Sequence, residues 1–352
     1  MRKRVVANTC AALCLVALVA SFIWSFYAAW EVSNFAIVEL LVGIVISLVF
    51  APILHELGHI VFAHFADMEI MYSKFFCFRL IRENGKLHFG FASPFVMEET
   101  QVLPKRGGAM QRRTSAYTLG GLIVSGIVLG VILALAIVFT SNFLLWGLVP
   151  YTGYLFLLNL LPVEYVNGKT DTLVYRGIKR GYDTERVMIS AMEIQGRLYA
   201  GESFSQIEEA CYYEVPQLAE DEPLFVVMLD LRYFYHLEKE EFEKAAACLN
   251  RLVSLQTYMS DWDMEKVAAE LVYMHAINGD YERAKACSES CVEYLKGDWA
   301  QAKRILAAYT SAFGQAEAVP LLKAQAEEAL QSESVEGVRK LERILLSRIS
   351  VA

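Results

Sequence analysis

The sequence predicts an all-α membrane core with about four transmembrane helices and a small β-hairpin insertion, followed by a C-terminal α-helical repeat domain. Three observations predict it. Apolar runs long enough to cross a bilayer crowd into the first half of the 352 residues. Between them, one short segment alternates around Asn84-Gly85. The second half carries helical periodicity and a block that recurs. The two parts divide at 1–181 and 182–352.

Charge separates the halves as well. Residues 1–182 hold 15 Lys+Arg and 10 Asp+Glu, a net of +5, and residues 183–352 hold 17 and 30, a net of −13; together these give −8. A strongly basic face is absent, which sets nucleic acid aside as a partner. Seven cysteines, Cys10, Cys14, Cys77, Cys211, Cys248, Cys287 and Cys291, contain no CxxC pair. They read as small buried side chains in a reducing compartment.

The spans are expected at about residues 5–30, 35–65, 117–140 and 143–161. The first follows the basic start "MRKR" and has a signal peptide as its rival reading. Its apolar run is long for a signal, and the second span follows within a few residues. Lys74, Arg79, Arg82, Lys86, Lys105, Arg106, Arg112 and Arg113 all fall between the second and third spans, while the two short outer connections carry no Lys or Arg. The charge rule therefore expects the N-terminus, the middle loop and the second half on the cytoplasmic side of a plasma membrane.

The second span contains His55-Glu56-Leu57-Gly58-His59. On a helix His55 and His59 share one face and can bind one Zn²⁺, with Glu56 beside them to take a proton from a water on the metal. Ionisable groups in a membrane helix are costly and by default functional. His64 falls off that face and reads as an interfacial residue. A catalytic zinc needs a third ligand. After the fourth span, "LLNLLPVEYVNGKTDTLVYRG" returns to the same membrane face and offers Glu164, Asn167 and Asp171. A carboxylate is the better zinc ligand, and Asp171 follows a turn-forming Asn167-Gly168.

HExxH in one span, a basic loop, Gly120-Gly121 with Ser125 after it in the next span, and Asn159-Leu-Leu-Pro162 before an acid resemble the site-2 protease family of intramembrane zinc metalloproteases. The resemblance covers about residues 35–175. It implies zinc held by His55, His59 and Asp171, with Glu56 as general base. Many family members carry Asp-Gly where this chain has Asn167-Gly168; related bacterial sequences insert an Asn-Gly turn before the Asp, which makes Asp171 the ligand. The resemblance also implies substrate contacts at Asn159, Pro162, Phe89 and Phe91, and a bacterial-type enzyme. Its substrates would be single-span membrane proteins, such as anti-sigma factors, or signal and leader peptides. A different membrane HExxH protease using Glu164, and a catalytically inactive membrane scaffold, are the rival readings.

"FFCFRLIRENGKLHFGFAS" (75–93) reads as a hairpin with Glu83 facing Lys86, Leu80 facing Phe89 and Phe78 facing Phe91. Family resemblance suggests that it dips beside the site and takes substrate as an added strand. In the second half, "EFEKAAAC" (Glu241–Cys248) recurs as "DYERAKAC" (Asp280–Cys287), 39 residues on, and Gly279 and Gly314 are 35 apart. These features resemble tetratricopeptide-type helix pairs, which would offer a surface to a protein partner.

Overall fold

The computed structural model describes residues 2–83, 86–93, 99–165 and 168–350. The Asn84-Gly85 turn and Asn167 lie outside the described residues. In chain order the elements begin α1 Arg2–Val32, α2 Asn34–Phe65, β1 Met68–Phe75, β2 Phe78–Glu83, β3 Lys86–Phe91 and β4 Glu99–Pro104. They continue α3 Met110–Val138, α4 Phe143–Leu160, β5 Glu164–Tyr165, β6 Gly168–Lys169, α5 Asp171–Arg180 and α6 Asp183–Tyr199. The rest is helical: α7 Glu209–Tyr213, α8 Pro223–Glu238, α9 Phe242–Val253, α10 Asp261–Ile277, α11 Tyr281–Ser288, α12 Val292–Leu295, α13 Ala300–Ala312, α14 Val319–Ala329 and α15 Glu336–Ser347.

Two compact units result. One comprises Met1–Leu103 and Ala109–Glu185, the other Pro104–Gly108 and Arg186–Ala352. The division thus falls in the first turn of α6, close to the expected 181/182. The short loop Pro104–Gly108 joins the second unit because it docks on α6. The Gly108 N–H donates to both carboxylate oxygens of Glu193 at 2.9 Å, and a side chain at Gly196 would strike the Arg106 carbonyl.

In the first unit, four helices are long and apolar enough to cross a membrane: Val6–Val32, Asn34–Phe65, Met110–Val138 and Phe143–Leu160. Their large apolar side chains, such as Leu13, Val16, Trp24, Val45 and Ile127, stay exposed, as helices surrounded by hydrocarbon require. Small residues let these helices approach. A Cβ at Gly58 would lie 2.5 Å from the Gly120 carbonyl oxygen, so α2 and α3 meet backbone to backbone there. Gly43 and Gly147 bring α2 and α4 together in the same way. Glu39, an acid inside α2, accepts the main-chain N–H of Phe143 at the start of α4. Asn142 caps the same helix through Leu145 N.

The third helix starts at Met110, earlier than the expected span at 117. The added turns are polar, but Met110, Thr114, Ser115 and Thr118 are buried and α3 packs against α5. Arg113 on this extension donates to the Ala66 and Asp67 carbonyls at 2.7 and 2.6 Å, closing the C-terminal end of α2.

The expected hairpin is half of a larger sheet. Its strands pair in the register Glu83↔Lys86, Leu80↔Phe89 and Phe78↔Phe91, the pairing a two-residue turn demands. Two further strands extend it to the order β3-β2-β1-β4. Phe75, Phe78, Phe89 and Phe91 form an aromatic cluster on it, with ring centroids 5.3–6.3 Å apart.

The second unit is a helical stack with a continuous core that includes Ile194, Leu198, Tyr233, Leu249, Tyr273, Ile305 and Leu345. Three helix pairs, α8/α9, α10/α11 and α13/α14, pack against each other across short turns. Each turn holds one residue in the left-handed region: Glu240 (φ 61°), Gly279 (φ 75°) and Gly314 (φ 73°). The main-chain N–H that follows bonds back in the same pattern each time, Glu241 to His236, Asp280 to His275 and Gln315 to Thr310. This is the Schellman closure of a helix C-terminus. In the middle of the core, Arg304 is fully buried and donates to Glu270 at 2.6 Å and Glu342 at 2.8 Å. All seven cysteines are free.

Candidate metal centre

His55 and His59 stand one turn apart on α2, and both are buried. Asp171 is the first residue of α5. Its Oδ2 lies 3.3 Å from His55 Nε2 and 3.4 Å from His59 Nε2. The three ligand atoms fall within 4.8 Å of one another, and among the described residues this is the one His/Cys/Asp/Glu group so arranged.

Each histidine is held by its other nitrogen. His59 Nδ1 lies 3.1 Å from the Tyr117 carbonyl oxygen. A carbonyl only accepts, so His59 carries its proton on Nδ1 and presents a lone pair at Nε2. His55 Nδ1 lies 3.0 Å from the buried Ser125 hydroxyl. Outer partners of this kind orient metal-ligating imidazoles. Gly121 supplies the room: a Cβ there would sit 2.8 Å from His55 Nε2 and closer still to His59 Nε2.

Asp171 is delivered by a tightly bonded link from α4. Thr170 caps α5, accepting from Leu173 N, and its hydroxyl donates to the Leu161 carbonyl at 2.6 Å. The adjacent Lys169 pairs with the buried Glu185 carboxylate at 2.8 Å. Burial pushes the Asp171 carboxyl up, whereas positive charge and donated hydrogen bonds from the imidazoles, when these are protonated, outweigh it and bring the group down to about 2.

These residues fit a metal ion. Asp171 Oδ2 is buried and lacks a hydrogen-bond donor. With His59 Nδ1 committed to Tyr117, its neutral Nε2 cannot donate to that oxygen. At His59 lone pairs therefore face one another at 3.4 Å, an arrangement that needs either an added proton or a cation between them. Two imidazoles and one carboxylate are a donor set suited to zinc.

Glu56 follows His55 in the chain and is also buried. Its Oε2 accepts the Thr100 hydroxyl proton at 2.6 Å. Ser73 Oγ lies 2.9 Å behind that hydroxyl, and the Tyr117 hydroxyl donates to the Thr100 carbonyl. Thr100, Ser73 and Tyr117 are thus site residues that sequence reasoning misses. Their signal is faint: the Thr-Gln-Val alternation of β4 and a tyrosine at the head of a span.

The other expected residues lie on other elements. Asn159 donates to the Leu155 carbonyl within its own helix, and Pro162 lies in the link between α4 and β5. Phe89 and Phe91 are 61% and 75% exposed. They sit on β3, at the opposite edge of the sheet from β4. The strand that reaches Glu56 is therefore β4, not the hairpin, because β1 and β4 continue the sheet towards α2. Glu164 is exposed on β5 and His64 is exposed near the end of α2; neither joins the group. Comparison with protein-family models, curated proteins and solved structures yields no match for this chain.

Proposed function

We propose that the chain is an intramembrane zinc metalloprotease of the site-2 protease kind, cutting peptide bonds of membrane-embedded substrates. The observation that carries this reading is the convergence of His55, His59 and Asp171 with both imidazoles held from behind. A zinc ion there would supply a Lewis acid for the peptide carbonyl and a water more acidic than bulk. Glu56 would act as the general base, taking a proton from the attacking water and returning it to the leaving amine. Ser125 and the Tyr117 carbonyl keep the imidazole nitrogens aimed.

Four helices long and apolar enough to span support a multi-pass protein of the plasma membrane. The Lys/Arg bias supports a cytoplasmic N-terminus and C-terminal unit, in a bacterial-type cell. Single-span membrane proteins and signal or leader peptides are the substrates that suit such a site. The three helix pairs of the second unit support a tetratricopeptide-like array that receives a protein partner.

The test is zinc stoichiometry on the detergent-purified full chain, comparing wild type with His59→Ala, Asp171→Ala and Asn167→Ala. About one zinc per chain is expected, lost in the first two variants and kept in the third. A wild type that holds no zinc sinks the reading. Zinc retained in Asp171→Ala moves the third ligand elsewhere.

A further inference from the structure

We infer that Thr100 positions Glu56 for proton transfer, as the front of a directed hydrogen-bond chain Ser73→Thr100→Glu56; this rests on the proposed role of Glu56 as general base. The direction of the chain follows from the geometry and from the role of its end member. A general base accepts, and the Thr100 hydroxyl donates to Glu56 Oε2 at 2.6 Å. Ser73, fully buried on β1, must then donate to the Thr100 oxygen at 2.9 Å. Among the described residues this is the hydrogen bond that holds Glu56, and it leaves the second carboxylate oxygen for the proton in transit.

Thr100 is itself held. The Tyr117 hydroxyl donates to its carbonyl, and the Tyr117 carbonyl accepts from His59. One loop therefore ties Glu56 and His59 together through Thr100 and Tyr117. A β-branched side chain on a strand has few rotamers, which suits a residue whose task is to aim another.

The test uses the full chain in detergent, loaded with Co²⁺ so that ligand binding is read from visible absorption. The probe is acetohydroxamate, which chelates the metal and shares a proton with an adjacent carboxylate. Turnover of a quenched apolar peptide is measured in parallel. Thr100→Val keeps the shape and deletes the hydroxyl; it should weaken the probe about tenfold and lower kcat with KM unchanged, one metal per chain being retained. Thr100→Ser should restore both to within about twofold. Glu56→Gln should weaken the probe, and adding Thr100→Val to it should change nothing more.

Wild-type probe affinity and kcat in Thr100→Val, with Glu56→Gln weakened, overturns this inference alone. A chain that takes no metal, or a probe indifferent to Glu56→Gln, overturns the functional reading and this inference with it. Should Thr100→Val fail to fold by circular dichroism, Ser73→Ala decides: about threefold weakening supports the chain, and no change overturns it.

Discussion

His59 and Tyr117 are joined through main chain and side chain: the His59 Nδ1 proton goes to the Tyr117 carbonyl at 3.1 Å, and the two rings lie 5.3 Å apart. A backbone carbonyl cannot be mutated away, so this orientation survives any side-chain change at position 117. The partner of His55 is a side chain, Ser125, and can be removed. Ser125→Ala should weaken zinc affinity about tenfold with no change in stoichiometry at saturation. Competition with a chromophoric chelator measures it, and unchanged affinity would mean that Ser125 does not orient the ring.

Gly121 should tolerate no side chain. In Gly121→Ala the new methyl would stand 2.8 Å from His55 Nε2 and closer to His59 Nε2, where a cation would sit. Zinc content should fall at least about tenfold while the helical signal in circular dichroism is kept. Full zinc content in that variant would place the metal elsewhere.

Zinc should be released between about pH 8 and pH 5, because protons compete with the metal for the ligand nitrogens. Metal binding needs both imidazoles neutral, so protons compete from below and affinity rises with pH. Asp171 sets no limit in this window, because its carboxyl is held at about 2. Zinc retention measured by dialysis from pH 8 to pH 5 tests this; release that begins only near pH 4 would point to a carboxylate-dominated site.

The helix-pair turns of the second unit give a matched pair of stability predictions. Gly314 has φ 73°, and a methyl group there would meet open space. Gly314→Ala therefore carries backbone strain without a clash and should lower stability by about 1 kcal/mol. Glu240 has φ 61° in the equivalent turn, so Glu240→Gly should raise stability by up to about 1 kcal/mol. The gain is reduced by loss of its pairing with Arg348 at 3.1 Å. Urea unfolding of the full chain, followed by the unit's tyrosine and tryptophan fluorescence, reads both.

Arg304→Met should be the most damaging change in that unit. It strands Glu270 and Glu342, which are 1% exposed at the side chain, and removal of one partner of a buried ion group costs about 3–5 kcal/mol. Burial already pushes the Glu342 carboxyl up, and Arg304 is the group that opposes this. Glu342→Gln in the Arg304→Met background should recover part of the loss; no recovery would show that packing, not charge, dominates.

What the sequence discloses depends on local spacing. The span positions follow from unbroken apolar length, and the β2/β3 register follows from a two-residue turn that leaves no freedom in pairing. His55 and His59 follow from the four-residue repeat of a helix. Asp171 is singled out through a resemblance, and the structure brings it to the two imidazoles. What stays hidden depends on long-range contact. Thr100 is 44 residues from Glu56, and nothing local marks a threonine on a short polar strand as the partner of a buried acid. Glu240 escapes for a different reason: a left-handed turn is legible when it holds glycine and silent when it holds glutamate. The N-terminal extension of α3 is missed because its residues are polar, their burial coming from α5 and not from lipid.

The separation of Asp171 from the two histidines has a consequence for how the protein is made. Asp171 lies 112 residues after His59, beyond two more spans. At ~5–20 residues per second of synthesis, the two histidines wait roughly 6–22 s before the carboxylate exists. During that interval the nascent chain cannot assemble the three-residue cluster. Assembly of the three-residue cluster is thereby coupled to synthesis of both helices that lie between its parts.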